Sequence, residues 1–279
     1  GFEFSIDTGK MAPICCKPPR YGPHEIRVIT ELVKKLEGKG IVEDDEGPWG
    51  SPIVLASKPD QAHVHWSEFV FRLCISYRML NTVTRPFTFP ITRCDEAVER
   101  VGDAQYYITA DLDAGYWQVK MNTASRDRSA FFIPNGKKHF NSMPMGAMNA
   151  HAFFVAMVSK MEIKWNKLYE QRTKKQNEAE WEWLKATMEQ AIQAIKEERA
   201  TDEKEKPTVE HIEKKATPFS PTWQKPGEIE PQPGSAVIAD DIILFAHTAT
   251  ALLYYFICMI EVLQHHRVTI KLRKTRFFP

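Results

Sequence analysis

The stretch that decides the fold is Ala236-Val237-Ile238-Ala239-Asp240-Asp241-Ile242-Ile243-Leu244-Phe245, in which an acidic pair separates two apolar runs. Apolar runs of this length predict two buried β-strands that meet at the carboxylates. Burying two adjacent carboxylates is costly unless a cation or hydrogen-bond donors neutralise them. No lysine or arginine lies close to the pair in the sequence, so the pair predicts a bound cation.

A second apolar run, residues 106–112, also ends in carboxylates, namely Asp111 and Asp113. Carboxylate oxygens that converge from two strands suit a hard cation such as Mg²⁺ or Mn²⁺. Two such ions, about 4 Å apart, can activate an attacking hydroxyl and stabilise a leaving pyrophosphate. Asp111 and Asp113 compete for the ligand position, because residues two apart on a strand share a face. The alternative is a tight turn with solvated aspartates and no metal.

Helical and extended patterns occur elsewhere in the chain. Residues 23–40 predict a helix with an apolar face, whereas residues 51–56 and 69–77 predict the two strands of a hairpin with a polar connection. Thr248 predicts the N-cap of a helix that runs to Gln264. The apolar residues of the first helix are Ile26, Ile29, Val33 and Leu36, and the glycines that end it are Gly38 and Gly40.

Residues 159–235 differ in composition from the rest of the chain. The first two thirds are rich in Lys, Glu, Gln and Trp, and the part after about residue 201 is charged and then proline-rich. Such a composition cannot build a packed core, so we expect a surface insertion that is partly disordered. The alternative is an added arm that binds RNA or a partner. The residues with the spacing of one helical face are Leu184, Met188, Ala191 and Ile195.

Composition limits the possible classes of protein. Of the 279 residues, 43% are hydrophobic and 26% are charged, which excludes wholesale disorder and fibrous repeats. The formal net charge of +1 lacks the basic excess that usually marks a nucleic-acid-binding domain. The apolar stretch 242–260 is interrupted by His247 and threonines, so a strand and a core helix are expected there instead of a membrane span. The five cysteines form no Cys-x-x-Cys pair, which favours reduced structural thiols.

Several motifs follow one another in a fixed order. They are Pro48-Trp49-Gly50-Ser51-Pro52-Ile53-Val54, Arg72-Leu73-Cys74-Ile75-Ser76-Tyr77-Arg78-Met79-Leu80-Asn81, Asp111-Leu112-Asp113-Ala114-Gly115-Tyr116-Trp117-Gln118, Met143-Pro144-Met145-Gly146-Ala147-Met148-Asn149-Ala150 and Ile238-Ala239-Asp240-Asp241. In this order they resemble the fingers and palm of the reverse transcriptase of gypsy-type long-terminal-repeat retrotransposons, which is related to retroviral enzymes. The resemblance covers nearly the whole chain outside residues 159–235.

The resemblance implies an α+β fold of the right-hand polymerase type. Its fingers would be followed by a palm with an antiparallel, ferredoxin-like sheet backed by helices, and the thumb would be absent. The implied domains are an N-terminal lead-in at 1–22, fingers at 23–90, a first part of the palm at 91–158, the insertion at 159–235 and a second part of the palm at 236–279.

The resemblance also implies a function, that of an RNA-directed DNA polymerase within a retrotransposon polyprotein. This nucleotidyltransferase would add deoxynucleotides to a primer 3′-end by two-metal phosphoryl transfer, with Mg²⁺ and alternatively Mn²⁺. The implied partners are an RNA or DNA template with its primer, deoxynucleoside triphosphates and the thumb, ribonuclease H and integrase parts of the Pol polyprotein, without a membrane. The implied location is the cytoplasm, in a retrotransposon particle, or the nucleus.

Two substitutions favour an alternative function. Ile238 stands where the family has a tyrosine, and Ser76 stands where it usually has an aspartate. Together with the insertion at 159–235, they are compatible with a catalytically dead or domesticated reverse-transcriptase-like scaffold that binds RNA or protein.

The resemblance finally implies roles for single residues. The three catalytic and metal-binding carboxylates would be Asp111, Asp240 and Asp241, since the spacing to Gly115 and Tyr116 favours Asp111 over Asp113. The substrate-binding residues would be Lys58 and Arg72 at the triphosphate, Tyr116 beneath the sugar, where its ring excludes a 2′-hydroxyl, and Met145 and Gly146 in the nucleotide pocket. For Lys274, which follows the last palm helix, a surface or template contact is expected.

Overall fold

The computed structural model describes residues 2–57, 71–90, 93–102, 104–175, 182–183, 185–187, 189–190, 193, 233–238, 241–271 and 274–278. The chain forms two compact units. The first unit comprises Gly1–Pro90 and Tyr116–Phe154, and the second comprises Ile91–Gly115 and Val155–Pro279.

The elements alternate between short strands and helices. In chain order they are β1 (Glu3–Phe4), α1 (Pro23–Gly38), β2 (Val42–Asp44), β3 (Ile53–Ser57), β4 (Phe71–Ile75), α2 (Arg78–Val83), α3 (Cys94–Val101), β5 (Tyr106–Asp111), α4 (Gly115–Gln118), β6 (Lys120–Met121), β7 (Phe131–Ile133), β8 (Gly136–Phe140), α5 (Ala150–Lys175), β9 (Gly234–Ile238), β10 (Asp241–Ala246), α6 (Ala249–His265) and β11 (Arg276–Phe278).

The first unit contains the predicted hairpin. Strands β3 and β4 pair in antiparallel register from Ile53 opposite Ile75 to Ser57 opposite Phe71, while the polar connection after residue 57 lies outside the described residues. A separate sheet has the strand order β2-β8-β7, and β1 pairs with β6 in parallel. Of the substrate-binding residues expected from the sequence, Arg72 lies on one of these strands, β4.

Helix α1 confirms the predicted helix at residues 23–40. It begins after Gly22, whose N–H is bound by the Glu25 carboxylate at 2.7 Å, and ends at Gly38. Gly40 then adopts a φ of +68°, a left-handed conformation that favours glycine. The predicted apolar face is wrong at Ile26, which is exposed, because the helix is rotated so that Val28 faces the core. The buried residues are Val28, Ile29, Val33 and Leu36.

The second unit contains a four-stranded antiparallel sheet in the order β11-β5-β10-β9. The strands on either side of the acidic pair are β9 and β10, as the sequence predicts, and helices α3 and α6 pack against the sheet. Ile108 and Ala110 of β5 are buried together with Ile242 and Leu244 of β10. The prediction of an antiparallel sheet backed by helices is therefore confirmed.

Helix α6 follows the sheet and supplies much of this core. The Thr248 hydroxyl accepts a hydrogen bond from the Ala251 N–H at 3.2 Å, which confirms the predicted N-cap. Nearly every side chain from Ala249 to Met259 is buried. In the described part of the chain, no helix has the length and apolar character that crossing a lipid bilayer requires.

Helix α5 extends well beyond residue 158, where the sequence analysis placed the end of the first part of the palm. Met161, Trp165 and Tyr169 are buried, and the Trp165 Nε1–H donates to the Tyr255 hydroxyl of α6 at 3.0 Å. One face of residues 159–175 therefore belongs to the packed core, and the assignment of this stretch to a surface insertion is wrong. The proposed helical face of Leu184, Met188, Ala191 and Ile195 and the proline-rich residues lie outside the described residues.

The prediction of unpaired thiols agrees with the structure for the four cysteines whose side chains are described, but of these only Cys258 is buried, as a structural thiol is expected to be. Cys15, Cys16, Cys74 and Cys258 are free, and burial raises the pKa of the Cys258 thiol to about 12. A thiol of this kind stays protonated and behaves as a small apolar side chain.

Candidate active site

The centre of the candidate site is a pair of carboxylates on neighbouring strands of the second unit. Asp111 ends β5, Asp241 begins β10, and the two residues lie directly opposite each other in the antiparallel register. Side chains at such positions have Cβ atoms about 5 Å apart, and like charges there are destabilising. The sequence prediction that two strands bring their carboxylates together is confirmed for these residues, whereas Asp240 lies outside the described residues.

The burial predicted for the acidic pair Asp240-Asp241 is wrong for Asp241, and Asp240 lies outside the described residues. The Asp111 side chain is 15% exposed, but Asp241 is exposed, because it lies at the end of the strand and not within it. Water can therefore reach the pair and can be replaced by ligands there. Because Asp241 is exposed, its charged carboxylate costs less free energy than a buried carboxylate would.

A lysine supplies a counter-charge that the sequence did not reveal. The Lys274 Nζ lies 2.5 Å from the Asp111 Oδ2, and the lysine side chain remains 63% exposed. Lys274 is distant from Asp111 in sequence and reaches it because β11 pairs with β5. The expected surface or template contact of Lys274 is thus extended by an ion pair with the carboxylate.

The pair borders a cavity of about 260 Å³. Two carboxylates and two basic side chains meet there, so the cavity can accept both a cation and the phosphate oxygens that accompany it. The lining residues are Thr109, Ala110, Asp111, Asp241, Lys274 and Arg276.

The donor chemistry of this cavity fits a hard divalent cation. Asp111 and Asp241 offer only carboxylate oxygens, the ligand type that Mg²⁺ and Mn²⁺ prefer. In the part of the chain that the structure describes, no group of three or more His, Cys, Asp or Glu side chains is placed to hold a metal ion. Two of the three predicted ligands, Asp111 and Asp241, are among the described residues, and their metal-binding role stays a prediction.

Asp113 belongs to a different local structure from Asp111. Strand β5 ends at Asp111, and Asp113 lies in the turn that follows, next to Ala114 with a φ of +49°. The Asp113 carboxylate pairs with the Lys271 Nζ at 3.3 Å. The prediction that the two aspartates share a strand face is wrong, because the chain leaves the strand between them, and Asp111 is the residue that faces Asp241.

Tyr116 lies in α4 and belongs to the first unit. Its ring stacks on Phe154 with centroids 5.1 Å apart and planes 4° apart, and its hydroxyl lies 3.3 Å from the His151 Nδ1. Offset stacking of this kind holds an aromatic ring in one orientation. The ring is therefore fixed, as a steric barrier requires, while its contact with a sugar stays a prediction.

Gly146 forms a turn that only glycine adopts easily. Its φ is +86°, and a Cβ there would lie 3.5 Å from the Ile75 carbonyl oxygen. The Asn81 Nδ2 donates to the Gly146 carbonyl at 3.1 Å, and the Met148 N–H donates to the Asn81 Oδ1 at 3.0 Å. Asn81 therefore positions this turn and was missed as a site residue, although it ends one of the quoted motifs. Met145, next to the turn, is 56% exposed.

The two expected triphosphate ligands differ in what the structure shows. Arg72 lies on β4 opposite Ala56 with an exposed side chain, whereas Lys58 lies outside the described residues. The structure thus leaves the Arg72 guanidinium accessible, and both roles stay predictions.

Comparisons with known proteins identify the family. A family model described as reverse transcriptase (RNA-dependent DNA polymerase) matches residues 67–179. An RNA-directed DNA polymerase homolog of Oenothera berteroana is 34% identical over 103 residues, which are 37% of this chain and 68% of that protein. The chain belongs to the reverse transcriptase family.

Longer relatives of this reverse transcriptase are retrotransposon polyproteins. The retrovirus-related Pol polyprotein from transposon 297 of Drosophila melanogaster is 33% identical over 151 residues, which are 53% of this chain and 14% of the polyprotein. The Pol polyprotein from transposon gypsy of the same species is also similar. The matched residues thus span only about one seventh of the polyprotein from transposon 297. The resemblance to gypsy-type elements is confirmed.

The fold agrees with that of solved reverse transcriptases. The foamy viral protease-reverse transcriptase in complex with dsDNA matches 99% of this chain and 42% of that chain, with a TM-score of 0.66 and 16% sequence identity. At this identity the match concerns the fold. The predicted α+β fingers-and-palm fold is therefore confirmed.

Proposed function

We propose that this reverse transcriptase chain is the catalytic part of an RNA-directed DNA polymerase within a retrotransposon Pol polyprotein. The observation that carries the proposal is the position of Asp111 directly opposite Asp241, at a cavity with basic side chains on its rim. The family membership supports the reaction type, in which a primer 3′-hydroxyl attacks the α-phosphorus of a deoxynucleoside triphosphate in line and pyrophosphate leaves.

The carboxylates have the role of binding cations. Asp111, Asp241 and Asp240 would hold two Mg²⁺ ions, with Mn²⁺ as a substitute. When bound, the ions lower the pKa of the attacking hydroxyl and neutralise charge on the leaving pyrophosphate. The direct opposition of Asp111 and Asp241 favours cation binding, because a bound cation would offset the repulsion between the two carboxylates.

The basic residues of the cavity act on charge and position. Lys274 neutralises Asp111 and keeps its carboxylate oriented, and its exposed side chain can turn toward a phosphate oxygen. Arg276 lines the same cavity and presents a guanidinium that can bind two phosphate oxygens at once. Arg72 and Lys58 would hold the triphosphate.

The nucleotide pocket selects the sugar and base geometry. The fixed ring of Tyr116 would exclude a 2′-hydroxyl and so favour deoxynucleotides. Gly146 allows the backbone of its turn to approach the nucleotide, and Met145 adds an exposed apolar surface beside it. Template choice would come from base pairing, with protein contacts directed to the backbone of an RNA or DNA template and its primer. The foamy viral relatives were observed with dsDNA and with an RNA/DNA hybrid, which supports these substrates.

Primer extension tests the proposal. The chain, alone and within its Pol polyprotein, is supplied with poly(rA)/oligo(dT), deoxythymidine triphosphate and Mg²⁺ or Mn²⁺. Asp111→Asn, Asp240→Asn and Asp241→Asn should each lower incorporation by about a hundredfold or more, since each removes a fixed charge at the reacting phosphate.

Asp113→Asn is the matched control, because Asp113 pairs with Lys271 and lies outside the register in which Asp111 is opposite Asp241. It should retain most of the activity. No incorporation by the wild-type chain in either form, or equal incorporation by the Asp241→Asn variant, would contradict the catalytic proposal and favour a binding scaffold.

A further inference from the structure

The outward face of α5 in the second unit is strongly basic. Between residues 160 and 174 this helix exposes four lysines and one acidic side chain, Glu170. At a rise of about 1.5 Å per residue, the stretch from Lys160 to Lys174 extends for roughly 21 Å. The exposed residues of the stretch are Lys160, Ile163, Lys164, Lys167, Glu170, Gln171 and Lys174.

The spacing of the lysines places like charges next to one another. Lys160 and Lys164 are four residues apart, and Lys164 and Lys167 are three apart, so their side chains are neighbours on the helix surface. No acidic residue stands three or four positions before or after Lys160 or Lys164. Such pairs destabilise a helix, and an external anion relieves the repulsion.

Helix α1 of the first unit shows what a neutral exposed face looks like. Its exposed Lys34 and Lys35 lie three and four residues after Glu31, and Lys34 lies three residues before Glu37. Each lysine therefore has an acidic neighbour on the helix surface. This interleaving is absent at Lys160 and Lys164, so the exposed face of α5 differs from that of α1.

The end of α6 adds positive charge to the middle of this face. The Lys164 Nζ lies 2.8 Å from the His266 Nε2, and the rings of His265 and His266 are in edge contact. Burial, and then the charges of Lys164 and His265, lower the pKa of His266. The next residue, Arg267, is exposed and adopts a φ of +59°. Arg267 therefore adds a positive charge close to Lys164, next to the histidine that contacts it.

We infer that this basic surface, formed by Lys160, Lys164, Lys167, Lys174 and Arg267, binds the phosphodiester backbone of a nucleic acid. None of these residues lines the cavity at Asp111 and Asp241, so the surface is a second contact in addition to the catalytic one. Lysines provide point charges for phosphates without base recognition, which gives binding that is independent of sequence. The inference deepens the proposed function by adding a place for the template or product strand, but it does not depend on catalysis.

Salt dependence of binding tests the surface directly. Affinity for a fluorescein-labelled RNA–DNA hybrid and for a single-stranded RNA is measured by anisotropy in EDTA, over a range of salt concentrations. Lys160→Gln combined with Lys167→Gln removes two charges and leaves the Lys164 contact with His266 in place. The matched control, Lys34→Gln with Lys35→Gln, removes the same charge from the interleaved face of α1.

The logarithm of the binding constant falls linearly with the logarithm of the salt concentration, and the steepness of this fall is the salt slope. Each lysine that binds a phosphate adds about 0.9 to the salt slope on a duplex and about 0.7 on a single strand. Raising salt from about 50 to 200 mM should therefore weaken the wild type by about 12-fold more than the α5 double variant on a duplex. The α1 control should keep the wild-type slope. If the α5 variant has a smaller salt slope on both the hybrid and the single-stranded RNA, the surface binds any phosphodiester backbone. If the salt slope is smaller on only one of them, that form of nucleic acid is the one that binds.

An unchanged salt dependence of binding in the α5 variant would overturn the inference, because the two lysines would then bind no phosphates. An equal loss of salt dependence in the α1 control would also overturn it, because the change in net charge alone would then explain the result. Should the double variant fail to fold by circular dichroism, Lys167→Gln alone gives the same test with half the effect. Primer extension at saturating template separates nucleic-acid binding by the α5 surface from catalysis at the carboxylates. If the chain never incorporates nucleotides but the α5 variant still has a reduced salt slope, only the proposed polymerase function is contradicted, and the inference about the α5 surface stands.

Discussion

Two clusters of charged side chains, one in each unit, differ in how completely their carboxylates are neutralised. In the first unit, both oxygens of Asp45 are held: Oδ2 by the Lys137 Nζ at 3.1 Å and the Gly47 N–H at 3.0 Å, and Oδ1 by the His139 Nδ1 at 3.2 Å. In the second unit, Asp111 has Lys274 on one oxygen and faces Asp241 across the strand pair.

The difference indicates which cluster is structural and which can bind a ligand. The Asp45 side chain is only 4% exposed, and Lys137 is fixed further by donating to the carbonyl oxygens of Gly47 and Trp49. Lys274, by contrast, is mostly exposed, so its own ammonium group stays solvated when it moves away, and the largely buried Asp111 carboxylate is then left to pair with another cation. A carboxylate with a mobile counter-charge and a like-charged neighbour is suited to exchange partners, whereas Asp45 is not.

The largest expected effect concerns the stability of the two clusters. Asp45→Asn should lower the free energy of unfolding by about 3 kcal/mol, because it leaves Lys137 largely buried without its partner. Asp111→Asn should change it by no more than about 0.5 kcal/mol, since the loss of the Lys274 pair is offset by less repulsion from Asp241. Urea unfolding followed by circular dichroism measures both values.

The same pair of variants should show the opposite order in primer extension. Asp111→Asn loses incorporation, and Asp45→Asn retains it at a temperature at which the protein is still folded. A large loss of stability in Asp111→Asn would show that this carboxylate is structural, and the contrast between the two clusters would then fail.

Much of the second unit was predictable from the sequence because its signals are local. The apolar runs around Asp240 and Asp241 predicted β9 and β10, and the N-cap at Thr248 predicted α6. The hairpin of β3 and β4 was predicted in the same way. In each case a few consecutive residues carry the pattern, and tertiary contacts did not override it.

The parts that the sequence analysis missed depend on distant contacts or on a mixed pattern. The ion pair between Lys274 and Asp111 requires the pairing of β11 with β5, and no local sequence pattern predicts that pairing. The continuation of α5 had a signal, since Met161, Trp165 and Tyr169 are spaced four residues apart, but the surrounding charges obscured it. Asp113 leaves the strand through a backbone turn that its side-chain type does not specify.

Cation binding offers a second test of the mobile counter-charge. Mn²⁺ titrated calorimetrically into the wild-type chain should bind, and a saturating concentration of about 100 times the dissociation constant should raise the free energy of unfolding by about 2.7 kcal/mol. Asp111→Asn should remove most of this stabilisation. Lys274→Met should tighten Mn²⁺ binding by up to about fivefold, because a surface ion pair of about 1 kcal/mol no longer competes for the carboxylate.

Lys137→Met is the matched control for that experiment, since Lys137 neutralises a carboxylate of the first unit. It should lower stability and leave the Mn²⁺ affinity unchanged. Weaker Mn²⁺ binding in Lys274→Met would mean that the lysine supports the cation site and does not compete with the cation, and the interpretation of Lys274 as a mobile counter-charge would be wrong.

Glu162 of α5 is a third carboxylate that can be compared with Asp45 and Asp111. It is partly buried, and its hydrogen-bond donor is a hydroxyl group, whereas each of the two aspartates pairs with a lysine. The Ser235 Oγ donates to the Glu162 Oε1 at 2.7 Å. Burial raises the pKa of Glu162 above its ordinary value of 4.5, and the Ser235 hydrogen bond and the charge of Arg100 oppose the shift only in part. The folded protein therefore binds this proton more tightly than the unfolded chain does.

The sign of the pH dependence follows from that difference. The contribution of Glu162 to stability is most favourable below pH 4.5 and is lost as the pH rises through the raised pKa of the folded state, where a charged carboxylate must be held in a partly buried position. Glu162→Gln should remove this decline, because its amide oxygen can still accept the Ser235 hydrogen bond without carrying a charge. Ser235→Ala, which removes the donor, should make the decline extend to higher pH. Urea unfolding of the three proteins at intervals from pH 4 to 8 measures the effect, and an identical pH dependence of wild type and Glu162→Gln would show that burial does not control this carboxylate.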